Sequence, residues 1–271
     1  MTKTLRIVTW NINSVRLRIP LLRQLVKELS PDIVCLQETK VTDGDFPLEN
    51  IKALGFPHVH FSGQKSYNGV AILSKIPLGT MDRMSVAESE DKRHICALLP
   101  DGTELHNFYV PAGGDIPDPV LNPAYGFKLR FVEHMTRWAL EHKKSGKKLI
   151  IVGDFNIAPL HHDVWSHKQL LNVVSHTPAE VERLDALKDS LSWCDVARHF
   201  VNAEEKLYSW WSYRNRDWRK SNRGRRLDHI WVTPSLTPAL KSFRIHSDAR
   251  DWNIDTVGPS DHVPVVVDIA L

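Results

Sequence analysis

Asp154 and Asn156 stand two residues apart just after the apolar run Leu149–Val152 and Gly153. In extended backbone that spacing aims both side chains to one side. A carboxylate beside a carboxamide can orient a water, take its proton or hold a cation. The same pair at a strand-to-turn junction can also do no more than satisfy backbone groups. Chemistry is favoured because similar junctions recur. Glu38 follows the apolar run Ile33–Leu36, Asp228 sits at the start of Leu227–Val232, and Asp261 and His262 precede Val263–Ile269. Asn11 and Tyr109 also fall at strand ends. Where strands have antiparallel neighbours, the C-terminal ends of some lie beside the N-terminal ends of others, so these junctions can open at one edge. Carboxylates gathered there repel one another unless a cation lies among them. No Cys/His set has zinc spacing, and hard oxygen donors favour Mg²⁺, with Mn²⁺ as a substitute. Carboxylates, a metal, a His, an Asn and a Tyr are the parts needed for attack of water on a phosphate ester.

These junctions need a frame of buried strands. Short apolar, β-branched runs supply it at Leu5–Trp10, Ile33–Leu36, Val59–Phe61, Val70–Leu73, Leu149–Val152, Leu227–Val232 and Val263–Ile269. Ile95–Leu99 and Leu105–Val110 flank Pro100-Asp101-Gly102 and read as a hairpin. Gly153 is expected to turn the chain sharply. Helices are expected from Pro20, with Leu21, Leu22, Leu25, Val26 and Leu29 on one face, and over 47–54, 128–142 and 178–191. Strands interspersed with helices and hairpins give an α/β class with mixed or mainly antiparallel sheets, as one domain over residues 1–271.

The net charge is +3 over 271 residues, but residues 214–226 alone carry +6, leaving −3 for the rest. Such a loop suits phosphate contacts, although a charge run can also be a solvated face. Tyr208, Trp210, Trp211, Tyr213 and Trp218 interleave with it and can stack on bases or line a pocket, with Trp211 expected to pack in the core. Three cysteines without paired spacing suit a reducing compartment. The first residues lack the apolar core of a secretory signal, and no run approaches a membrane span, so a cytoplasmic protein without membrane contact is expected. Of the fourteen histidines, His58, His60, His94, His106, His161, His162 and His229 are given no part in the site.

W-N-I-N at Trp10–Asn13, L-Q-E-T-K at Leu36–Lys40, Y-V-P at Tyr109–Pro111, G-D-F-N-I-A-P at Gly153–Pro159, R-L-D-H-I at Arg226–Ile230 and S-D-H at Ser260–His262 occur in this order along nearly the whole chain. Together they resemble the exonuclease III family of apurinic/apyrimidinic endonucleases. The resemblance implies a four-layered α/β sandwich, two face-to-face mixed sheets with helices outside, as in deoxyribonuclease I. It implies Mg²⁺-dependent hydrolysis of duplex DNA 5′ to abasic sites, with 3′-to-5′ exonuclease and 3′-phosphatase or phosphodiesterase activity at blocked 3′ ends, by a monomer.

By the same resemblance, Glu38 with Asn11 holds the metal and Asp154 orients or deprotonates the water. Asn156 and His262 bind phosphate and share in the metal set with Asp154. Asp228 partners His262, Asp261 is a further metal or orienting ligand, and Tyr109 contacts phosphate. Trp210 and Leu227 match walls of the abasic-sugar pocket, and Lys65, Asn68, Arg214 and Arg216 are candidate DNA contacts. Two departures stand out. Arg225 occupies a position that is apolar or aromatic in the family, where it could grip a phosphate or narrow the pocket. Ala112 and the added glycine after Pro111 reshape the loop that follows Tyr109. Superfamily relatives that cleave lipid headgroups give an alternative substrate, as does mainly 3′-end processing; the +6 loop and the lack of an apolar membrane-binding stretch favour DNA.

Overall fold

In the computed structural model, which describes residues 4–80, 83–215 and 217–271, the strands and helices alternate along the chain. The strands are β1 (Thr4–Asn11), β2 (Ile33–Gln37), β3 (His58–Ser62), β4 (Val70–Ser74), β5 (His94–Leu98), β6 (Glu104–Tyr109), β7 (Leu149–Asp154), β8 (Cys194–Asp195), β9 (Trp210–Trp211), β10 (Gly224–Arg225), β11 (Asp228–Val232), β12 (Leu240–Ile245) and β13 (Val265–Ala270). The longer helices are α1 (Ile19–Leu29), α2 (Leu48–Ala53), α3 (Pro123–Glu141) and, after a single turn at His167–Leu170, α4 (Pro178–Ser190).

One sheet runs β12-β13-β1-β2-β4-β3 and the other β5-β6-β7-β11-β8. Each holds one parallel pair, β1 with β2 and β6 with β7, among antiparallel neighbours. Alternation along each strand divides its side chains between two layers. Ile7, Ile33, Cys35 and Val267 of the first sheet meet Ile150, Val152 and Ile230 of the second. On the far face of the first sheet, Val8, Trp10, Val34 and Leu36 join a cluster with Leu21, Leu22 and Leu25 of α1. On the far face of the second, Phe108, Ile151 and Trp231 join Phe131 and Met135 of α3 and Leu184 of α4. The result is the expected four-layered α/β sandwich of two mixed sheets between helices.

Polar side chains tie the sheets together near the ends of β2 and β6. Gln37 Nε2 donates to Thr9 Oγ1 at 2.9 Å and to Asn107 Oδ1 at 2.7 Å. Asn107 Nδ2 donates to the carbonyls of Leu36 and Ala71 at 2.9 and 3.0 Å. Gln37 Oε1 is left without a partner, but the bonds that do form cross between the two sheets and fix how they sit on each other.

The structure moves some expected boundaries. Gly153 does not turn the chain but lies within β7, at φ +137°, and a Cβ there would stand 1.9 Å from Phe108 O. Glycine is required because β6 passes so close, and the chain turns only after Asp154. Helix α3 begins at Pro123 rather than at Lys128, because Asn122 caps it by accepting from Ala124 N and Pro123 needs no partner. Strand β12, on the edge of its sheet, alternates poorly and carries no clear strand signal in its sequence. No helix among the described residues is long and apolar enough to cross a membrane.

Candidate active site

Strand register brings the chemical residues together. Asp154, the last residue of β7, is the cross-strand partner of Tyr109 on parallel β6 and of Asp228 on antiparallel β11. In the other sheet Asn11 ends β1 opposite Gln37 of β2, one residue before Glu38. Asp261 and His262 approach the same edge ahead of β13, held by Trp10 Nε1 on His262 O at 3.1 Å and Ser260 Oγ on Asn11 O at 2.8 Å. Glu38 and Asn156 hold left-handed backbone at φ 57° and 54°. Such conformations cost free energy in residues with side chains and concentrate where geometry serves function.

Asp154 is buried at the centre. Its Oδ2 accepts from Asn11 Nδ2 at 2.9 Å and Asn156 Nδ2 at 3.1 Å, and its Oδ1 accepts from Asn156 N at 2.9 Å. His262 Nε2 lies 3.6 Å from Asp154 Oδ2, while its Nδ1 meets Asp228 Oδ2 at 2.8 Å. Asp228 is fixed in turn by Ser209, whose Oγ donates to Oδ2 at 2.6 Å and accepts from the Leu227 and Asp228 amides. Burial pushes the Asp154 carboxyl up to about 7, against the opposing pull of His262. His262 is raised to about 10 because the carboxylates of Asp228 and Asp154 outweigh its desolvation. Burial, with Glu38 and Asp154 nearby, holds the Tyr109 phenol well above its usual range, so it keeps its proton as a donor. The Arg93 guanidinium stacks 4.9 Å from the Tyr109 ring centroid.

These groups face a cleft of about 650 Å³. Asn11, Glu38, Tyr109, Asp154, Asn156, Asp261 and His262 line one part, and Trp210, Leu227, Arg214 and Arg225 line another. Residues 8–262 match the Endonuclease/Exonuclease/phosphatase family. The chain belongs to that family. It is 30% identical over 272 residues to exodeoxyribonuclease III of Haemophilus influenzae, covering 96% of this chain and 98% of that protein. Its fold matches an AP endonuclease from Archaeoglobus fulgidus with a TM-score of 0.88 at 30% identity, over 98% of this chain and all of the other. A 3′-5′ exonuclease, NExo, from Neisseria meningitidis matches with the same TM-score, identity and coverage. Another structure of NExo, there described as a 3′ phosphatase, holds a product DNA hairpin. Within the family the chain is therefore an enzyme of the exonuclease III type.

The donor set fits the family's expected cation. Asn11, Glu38, Asp154 and Asp261 present hard oxygens to one cleft, and the buried Asp228 Oδ1 has no partner. Burial raises the Asp154 carboxyl despite the nearby His262, so a further cation in the cleft would be accommodated there. Asp154, Asp228 and His262 also lie close enough to share one ion. An imidazole protonated between two carboxylates is a poor ligand, however, and reads better as a phosphate-binding cation. Lys40 Nζ already sits 2.9 Å from Glu38 Oε1.

The DNA-contact expectations divide. Trp210 forms a wall of the cleft and also donates from Nε1 to Asp261 Oδ2 at 3.0 Å. Leu227 is packed with Ala158, Val164 and Leu170. Arg214 is exposed at the cleft, whereas Arg216 lies outside the described residues. Lys65 is exposed away from the lining, and Asn68 is buried, donating to Gln64 Oε1 at 2.9 Å. Sequence reasoning missed Ser209, Arg93 and Lys128. Lys128 is fully buried, donates to Asn156 O at 2.8 Å and Ala112 O at 3.2 Å, and pairs with buried Glu180. No local signal marks them, because each acts on a residue far away in sequence.

Proposed function

We propose that this protein is a DNA-repair phosphodiesterase that uses Mg²⁺, replaceable by Mn²⁺. It hydrolyses double-stranded DNA 5′ to abasic sites, leaving a 3′-OH, and processes 3′ ends as exonuclease and as phosphatase or phosphodiesterase. The observation that carries this is a buried Asp154 facing the His262–Asp228 pair on the floor of a cleft walled by Trp210, Arg214 and Arg225. Asp154 orients the attacking water and accepts its proton, a task suited to a carboxyl raised to about 7. The His262 imidazolium, held by Asp228, donates to a non-bridging oxygen as charge grows there. Asn156 donates both Nδ2 hydrogens, to Asp154 and to Val110 O at 2.9 Å, so in this arrangement it positions Asp154 and reaches phosphate only by giving up one of those bonds. Neutral Tyr109 supplies a further O–H donor. Glu38, Asn11 and Asp261 would hold the Mg²⁺, which when bound neutralises the phosphate and the departing oxygen.

Of the basic run, Arg226 is buried between Asp163 and Asp195 and is not free for DNA. The exposed Arg214, Arg219, Lys220 and Arg223 contribute sequence-independent phosphate contacts, and duplex DNA with abasic sites or blocked 3′ ends is the substrate class. The reading includes a monomer acting as one domain over 1–271 in the cytoplasm; both sheets share one core, which supports the single unit. The direct test is an end-labelled duplex with one abasic analogue, beside an undamaged duplex with a recessed 3′ end, each with Mg²⁺ and with chelator. Metal-dependent incision at the lesion is expected. If both duplexes stay intact with Mg²⁺, the reading fails.

A further inference from the structure

Beyond the polar floor the cleft is lined by Trp210, Leu227, Val174 and Ala112 and by three arginines, Arg214, Arg223 and Arg225. Arg214 and Arg223 are exposed, whereas Arg225 is half-buried and anchored. Arg225 reaches from β10 to the segment 174–175. Its Nη1 donates to Val174 O at 2.9 Å and to Ser175 Oγ at 2.6 Å, and its guanidinium lies 5.3 Å from the Trp210 ring centroid. Nε is buried without a partner, and no acceptor among the described residues meets Nη2.

The grip on Arg225 is built. Ser175 holds φ 92°, a costly conformation for a residue with a side chain. It is kept there because both Glu180 oxygens accept from its N–H, at 3.0 and 2.9 Å, and its carbonyl accepts from Ala158 N at 2.8 Å. Glu180, behind Ser175, is already paired with Lys128. Asp261 is engaged by the Trp210 indole, and Asp115 also faces the cleft. Among the described residues no carboxylate hydrogen-bonds Arg225, and its Nη2 is left for whatever enters the pocket. A sugar offers the guanidinium only neutral oxygens, whereas a short carboxylate would meet it with stronger, charge-assisted hydrogen bonds.

We propose that Arg225 makes this pocket a receptor for a small anionic substituent on the scissile phosphorus, so that 3′ ends capped by a phosphate-linked carboxylate, such as 3′-phosphoglycolate, are preferred over neutral abasic sugars. The inference rests on the phosphodiesterase reading above. Water adds to phosphorus, and the bond from phosphorus to the DNA 3′ oxygen breaks. The 3′ oxygen takes up a proton in place of the one the water gives up, and phosphoglycolate departs with its carbon–oxygen–phosphorus linkage intact. Arg225 touches only the part of the substrate that does not react, so it sets specificity.

The test compares kcat/KM with Mg²⁺ on three duplexes of one sequence, ending in 3′-phosphoglycolate, ending in 3′-phosphate, or carrying an internal tetrahydrofuran abasic analogue. The 3′-phosphate places nothing in the pocket and so normalises for folding and chemistry. In Arg225→Leu the phosphoglycolate-to-phosphate ratio should fall about tenfold or more, as expected for a lost charge-assisted pair. The phosphoglycolate-to-abasic ratio should fall with it, and Arg225→Lys should restore part of both. Unchanged ratios in Arg225→Leu, whatever the absolute rates, would mean that Arg225 only braces residues 174–175, and would overturn the proposal alone. Wild-type protein inert on all three duplexes would overturn the phosphodiesterase reading and the proposal with it.

Discussion

Asp154 carries more of the site than any other side chain, because Asn11, Asn156 and His262 all converge on it. Asp154→Asn should slow single-turnover cleavage by about a hundredfold or more, the usual cost of removing a preorganised polar group. Fluorescence anisotropy should show DNA binding retained, since the basic arm is untouched. Glu38→Ala should instead raise the Mg²⁺ concentration needed for half-maximal rate. The pH profile separates the two central groups. In the proposed mechanism Asp154 acts when deprotonated, so activity should fall as pH drops through its carboxyl, near 7 without a cation, and raising Mg²⁺ should move that acid limb lower. His262 is proposed to act when protonated, so activity should fall as pH rises through its imidazolium, near 10. Asp228→Asn removes the largest influence holding that proton and should shift the alkaline limb to lower pH. An unmoved alkaline limb would mean that His262 is not the titrating group.

At the scale of elements, α3 and α4 reach the site through one buried ion pair. Glu180 closes the capping box of α4, accepting from Thr177 N at 3.1 Å while Thr177 Oγ1 accepts from Glu180 N at 3.3 Å. The same carboxylate pairs with Lys128 of α3, whose ammonium holds the carbonyl of Asn156. Lys128→Met leaves a carboxylate buried without its partner, and should destabilise the fold by roughly 3–5 kcal/mol. The double variant Lys128→Met/Glu180→Gln should recover much of that loss in thermal unfolding. Here the sequence was least legible. Strand runs and the residues at their ends could be read from β-branched clusters and abrupt polarity, so Glu38, Asp154, Asp228 and His262 were recognisable before any fold was in hand. A lysine and a glutamate 52 positions apart, each on an ordinary amphipathic helix, carry no such mark. The same holds for Ser209 and Arg93, whose roles exist only through long-range contact. Arg225 was visible as an odd residue, but its anchor at Ser175 was not, because the strained backbone there depends on a helix cap downstream.

Across the whole molecule, buried imidazoles set the acid limit of stability. His94 and His106 are hydrogen-bonded to each other at 3.1 Å, and His229 to Ile157 O at 2.8 Å. Burial lowers all three below their ordinary value, His229 to about 4. At these three groups the unfolded chain therefore binds more protons than the native one once pH falls below about 6.5, and their contribution to stability is lost from there down through pH 4, offset in part by the raised Asp154 carboxyl. Denaturant midpoints measured between pH 7.5 and 4.5 should fall steadily, and His229→Gln should flatten part of that slope. The uneven charge gives a second global expectation: affinity for undamaged duplex should fall linearly in log-log plots against salt, more shallowly when the arginines of 214–223 are neutralised.

The pairing of β1 with β13 also has a consequence in time. Asn11 lies at one end of the sequence and Asp261 and His262 at the other, and the Trp10 and Ser260 bonds stitch them together only after β13 has docked between β1 and β12. A chain emerging from the ribosome therefore exposes its arginine-rich arm before it has a hydrolytic centre. A chain without β13 therefore carries its basic run but not a complete set of site residues, and should show no cleavage of duplex DNA.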